Sequence, residues 1–171
     1  MRNYLHRNRW FLLASAGWLL FSYFAGWAFV SGMSNEIGPS SVVSRQIDHL
    51  DNSVLPILYQ NLFTSALLIS GLFSLSLPTI IILFLNGFWF GASLTSRYMD
   101  GVSAFELALK IVPHGIFEIP ALIIAGFVGF QGITFYIHKH RPWVYYLKSI
   151  LVMCSLLICA ALVEGLITSK L

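Results

Sequence analysis

Pro113-His114-Gly115-Ile116-Phe117-Glu118-Ile119-Pro120-Ala121 is the stretch in which side chains able to do chemistry stand close together. His114 and Glu118 are four residues apart, so on a helix they share one face, one turn apart. Such a pair can exchange protons, bind a cationic group, or offer two ligands to one divalent metal ion. It can equally be structural, with Glu118 neutral or paired with Arg97, Asn61 or His114 and pinning helices together. The structural role is the expected one; His114 and Glu118 are candidate metal ligands, and His49, Asp48 and Asp51 of the outer loop, read first as the solvated face of a surface helix, could add to them. A metal site or catalytic centre needs a third member, and the neighbouring sequence has no second histidine, no zincin motif and no nucleophile in a recognisable setting. Pro113 suits the first turn of a helix. Pro120 has no amide hydrogen for the carbonyl of Ile116, so that oxygen is available to another partner. Gly115, Ala121, Ala125 and Gly129 are small enough for a neighbouring helix to pack closely.

The elements that position these residues are membrane spans. Of 171 residues, 57% are apolar and only 10% charged, where a soluble domain carries roughly 25%. Mean hydropathy is +0.78. So few charges cannot cover a globule in water, which excludes a soluble enzyme and a disordered chain alike. The expected fold is an all-α polytopic bundle, residues 1–171 forming one integral membrane domain. Five spans of about 20 residues fall at 10–32, 62–77, 78–96, 112–133 and 149–167. The uncharged run 61–96 is too long for one span, and Ser74, Ser76 and Pro78 divide it. Val43, Ile47, Leu50 and Val54 form a helical stripe, predicting a short amphipathic surface helix that Pro56 ends. Ser103-Ala104-Phe105-Glu106 has the form of a capping box, opening a second short helix with Phe105, Leu109 and Val112 on one face. Cys154 and Cys159 point about 140° apart on a helix and cannot bridge within it.

Charge sets the expected orientation. With five spans, Arg2, Arg7, Arg9, Lys139, Arg141 and Lys148 lie inside and Arg45, Arg97, Lys110 and Lys170 outside, six against four. The N-terminus is then cytoplasmic, the C-terminus extracytoplasmic, and His114, Glu118, Glu164 and Arg97 fall in the outer third. Gly87 and Gly91 form a small-xxx-small pair beside Asn86, expected to bring the third span close to the fourth. No phosphate loop, dinucleotide fingerprint or nucleic-acid module is present. No cofactor and no nucleic acid are expected.

Pro113-His114-Gly115, Glu118 and Pro120-Ala121, followed by Ala125-Gly126 and Gly129, resemble the stage II sporulation protein M family. Asn86-Gly87, Gly91 and Asn61 fit the same pattern, and the resemblance covers about residues 61–132. It implies a multi-pass protein of the bacterial cell membrane. The family's sporulation member is regarded as the membrane anchor of a complex with two exported cell-wall hydrolases. Compact members accompany circular bacteriocins and are linked to their maturation or export. The resemblance implies that His114, Glu118, Asn86 and Gly87 matter together. The expected role is a non-enzymatic scaffold acting at the outer face. Maturation or export of a bacteriocin is the first alternative, and an intramembrane His/Glu hydrolase the second. The expected partners are the lipid bilayer and membrane or extracytoplasmic proteins, and a homo-oligomer is compatible with this build.

The orientation is tested by cysteine labelling in a background without Cys154 and Cys159. Ser44→Cys should react with an impermeant thiol reagent applied from outside, and His138→Cys should not. The reverse pattern would invert the topology.

Overall fold

The computed structural model describes residues 8–33, 54–137 and 143–166. They form six helices: α1 (Arg9–Met33), α2 (Val54–Ser70), α3 (Leu77–Met99), α4 (Ala104–Gly129), α5 (Gly132–Ile137) and α6 (Trp143–Leu166). Among the described residues there is no strand. Among the described residues, four stretches are long and apolar enough to cross a membrane, namely Arg9–Met33, Leu77–Met99, Gly115–Ile137 and Trp143–Val163. α2 has 17 residues and rises about 25 Å, the short end of what crosses.

Packing fixes the direction of each helix. Gly87 of α3 lies against Leu19 and Ser22 of α1, and Gly91 lies against Tyr23 and Trp27. Numbering rises together along both helices, so α1 and α3 run parallel. Two parallel helices need a return pass between them, and α2 supplies it. α4 runs back along α3, with Gly126 against Leu83 and Gly129 against Thr79. α6 runs opposite to α4: Tyr146 packs in one cluster with Phe127 and Val128, while Met153 and Leu157 pack in another with Ala121 and Ala125. α1, α3 and α6 therefore point one way, α2 and α4 the other.

One end of the bundle is tied by a hairpin. Between α2 and α3 the chain turns through residues 71–76, with Leu75 (φ 52°) and Ser76 (φ 68°) in the left-handed region. That conformation costs roughly 1–2 kcal/mol per residue outside glycine. Offsetting contacts are present. The Ser76 amide donates to the Gly71 carbonyl at 2.8 Å, and its hydroxyl donates to the Gly129 carbonyl at 3.0 Å. Thr79 donates to the Leu68 carbonyl at 2.7 Å. Tyr136 of α5 donates to the Phe73 carbonyl at 2.6 Å, and the Phe135 ring meets those of Phe73 and Trp143 edge-on at 5.5 Å.

Three expectations are corrected. The second helix spans 54–70 rather than 62–77, because residues 71–76 are consumed by the turn. Pro56 accordingly stands in the first turn of α2, where its missing amide hydrogen costs nothing, and does not end a surface helix. The short helix after Ser103 and the fourth span are one continuous helix, α4, opened by a complete capping box between Ser103 and Glu106 and carrying Pro113 and Pro120 inside it. Pro113 is thus an interior residue, not a first-turn one. The amphipathic stripe lies outside the described residues except for Val54, which opens α2.

A methyl at Gly129 would meet both the Thr79 hydroxyl and the Leu68 carbonyl. Gly129→Ala should therefore cost about 1–3 kcal/mol, read as a lowered unfolding temperature in detergent. Gly17→Ala, with nothing within 4 Å of the added methyl, should leave that temperature unchanged or slightly raised.

Candidate functional site

The buried stripe of α4 runs through Leu107, Gly115, Leu122 and Ala125, with Ile111 half-buried. Glu118 stands three residues after Gly115 and four before Leu122, so it lies on this same face, and it is half-buried. It is eleven residues from Gly129, about 16 Å from the hairpin end. The helices around it bring other polar residues to similar levels. The Leu68–Gly129 contact sets α2 against α4, and stepping back seven residues on each puts half-buried Asn61 level with Leu122, one turn from Glu118. Leu157 shares a cluster with Ala121 and Ala125. Seven residues further along α6, the backbone of Glu164 reaches the level of His114 to Glu118. The side chains of His114 and Glu164 lie outside the described residues.

One residue expected in this cluster is elsewhere. Arg97 is in the last turn of α3, whose Leu94, Thr95 and Tyr98 share a groove with Ala104 to Val112 of α4. Glu118 is six residues, about 9 Å, beyond Val112, so Arg97 and Glu118 occupy different levels. Asn86 turns onto its own helix, its amide donating to the Ile82 carbonyl at 2.8 Å. Gly87 and Gly91 also have a different role from the expected one. Their open Cβ positions are filled by α1, where Gly87 meets the Ser22 hydroxyl and Gly91 the Tyr23 carbonyl. They bring the third helix to the first, not to the fourth. Among the small residues of α4, Ala121 and Ala125 are fully buried. A methyl at Gly115 would make only ordinary contacts with Ile111 and Ile119, and Pro120 is exposed.

The polar residues that tie helices together are mostly hydroxyls. Ser15 of α1 donates to the Ile123 carbonyl of α4 at 3.0 Å, directly against Gly126. The Trp18 indole donates to the Ile80 carbonyl at 2.9 Å. Sequence reasoning missed Ser15, Ser22 and Thr79 as structural residues and read Ser76 only as a break in the uncharged run. A signal existed for α1: Ser15, Ser22 and Gly26 fall on one face of an otherwise apolar helix, and all three are buried. Among the described residues, no group of three or more His, Cys, Asp or Glu comes together. A groove of about 360 Å³ opens between α1, α3 and the first half of α4, at the end opposite the hairpin. Its walls are largely apolar and include Tyr23, Trp27, Leu107 and Ile111.

Comparison with known proteins gives two matches. The family model described as Stage II sporulation protein M matches residues 15–169. The chain is 31% identical over 139 residues to the uncharacterized protein MJ0793 of Methanocaldococcus jannaschii, covering 75% of this chain and 78% of that one. No solved structure matches the chain.

Glu118 offers a direct test of what its stripe does. Glu118→Gln keeps the shape and hydrogen-bonding capacity and should leave detergent-stable yield close to that of the parent. Glu118→Leu strips the hydrogen-bonding groups and should cost about 1–3 kcal/mol by leaving partner groups unsatisfied. Equal stability of the two variants would show that Glu118 holds nothing in place.

Proposed function

Because the chain belongs to the stage II sporulation protein M family, we propose that it is a non-enzymatic membrane scaffold that assembles partner proteins at the outer face of the cell membrane. One observation carries this reading: Gly87, Gly91, Ala121 and Ala125 of the family-like pattern build helix contacts. Gly87 and Gly91 seat α1. Asn86 is committed to the Ile82 carbonyl. Ala121 and Ala125 sit in the core. The groove between α1, α3 and α4 has walls poor in groups that do acid–base or nucleophilic chemistry.

With the N-terminus in the cytoplasm, the ends of α1 and α3 and the starts of α2 and α4 face outward. The groove then opens toward the side on which exported proteins act. Partners of the expected kind are membrane-tethered exported hydrolases, or the maturation and export proteins of a secreted hydrophobic peptide. In this reading Glu118 supplies a polar contact within the bundle and is not a reaction centre.

The test is a cell-based assay of the complex with protein level measured alongside. Glu118→Gln should retain at least half of parental function and co-purify the same partners from the native host. Normal protein levels with more than a tenfold loss of function would instead assign Glu118 a charge- or proton-dependent task.

A further inference from the structure

α4 carries two prolines inside a continuous helix. Each removes the amide hydrogen that would reach back four residues, so Pro113 leaves the Leu109 carbonyl and Pro120 the Ile116 carbonyl without its helical donor. The two oxygens are seven residues apart, hence on one face and about 10 Å from each other. Among the described residues, none covers that face. Leu109, Val112, Ile116 and Ile119 are all exposed, Ile116 at 60%. A carbonyl leans toward the residues three and four positions on, here Ile119 and exposed Pro120 for the deeper oxygen. In hydrocarbon an acceptor without a donor is costly, and proline is tolerated in a span where a neighbouring helix or side chain supplies one.

A second observation adjoins the first. The groove between α1, α3 and α4 is continuous with this face through Val112. Ala104 and Ala108, exposed and four residues apart, line it on the α4 side together with Leu107, Ile111 and Val112, and Tyr23, Trp27 and Tyr98 stand across from them. Small residues along one wall let a helix backbone approach closely. A lipid acyl chain could fill the volume but has no donor for the carbonyls.

We infer that the exposed face of α4, from Ala104 to Pro120, together with the adjoining groove, is the seat of one further transmembrane helix from a partner protein. That helix carries hydroxyl or amide donors one heptad apart, which reach the Ile116 and Leu109 carbonyls. The inference deepens the scaffold reading by naming the chemistry of the partner. Its test measures association alone and so stands or falls separately from the cellular assay.

The full chain is reconstituted in phosphatidylcholine–phosphatidylglycerol vesicles with a fluorescent probe peptide. The peptide is a lysine-flanked leucine–alanine transmembrane helix bearing two serines seven residues apart, and the control carries alanine at both positions. Energy transfer should show the serine peptide associating about three to ten times more strongly than the alanine peptide. The double variant Pro113→Ala/Pro120→Ala restores the backbone donors without harming the helix and should bring that ratio to about one. Ala108→Trp fills the groove and should weaken both peptides. Equal binding of the two peptides to the parent chain would overturn the inference, as would a preference that survives the proline replacements. Absence of binding by either peptide would leave lipid as the occupant and overturn it too. So would association between copies of the chain that neither peptide displaces.

Discussion

The Thr79 hydroxyl, donating to the Leu68 carbonyl while Gly71 and Gly129 press against it, is the contact on which the bundle is built. In water a turn can leave its polar groups to solvent. In a bilayer each must find a donor or acceptor within the protein. Here α2, α3 and α4 converge on a few atoms, and glycines are the only residues that leave room for them. The Ser76–Gly129 hydrogen bond and the close approach of Gly132 to Gly71 extend the same knot. The direction of α2, the start of α3 and the end of α4 all follow from it.

Much of this architecture is legible in the sequence, for identifiable reasons. Low charge and long apolar runs announce membrane helices, and the Ser103–Glu106 box announces the start of α4. The break in the uncharged run near Ser74 is also readable, although its extent is not. Leucine and phenylalanine are as compatible with a turn packed against protein as with a helix facing lipid, so hydropathy could not show that residues 71–76 leave the helical path. The same ambiguity hid the continuity of α4. A proline ten residues into a helix reads as a boundary, yet in a bilayer the alternatives to a helix are poorer than a helix lacking one hydrogen bond.

The polar residues follow a similar rule. His114 and Glu118 attract attention because an ionisable group is expensive in hydrocarbon. Hydroxyls are cheap there and draw less notice, yet those of Ser15, Ser76 and Thr79 each bridge from one segment to a carbonyl of another. The partner of a small-residue patch is also not written in its spacing. Gly87 and Gly91 could have faced any helix, and they face α1 because Gly26 offers a matching indentation, against Phe88 and Ala92, along a parallel neighbour. Several residues of the family-like pattern, Gly87 and Gly91 among them, act as surfaces for backbone.

The parallel pairing of α1 and α3 carries a consequence for how the chain is made. α1 leaves the ribosome first, but neither α3 nor the Ile123 carbonyl that accepts from Ser15 yet exists; that carbonyl follows 108 residues later. At about 5–20 residues per second the wait is on the order of five to twenty seconds. During that interval α1 resides in lipid or in the insertion machinery with Ser15 able to bond only to its own helix. The helix must therefore be apolar enough to be stable alone while keeping a face that is recognised late. Its few serines and glycines, set among tryptophan, phenylalanine and leucine, meet both demands. Biogenesis, as much as the finished packing, constrains how polar the first helix can be.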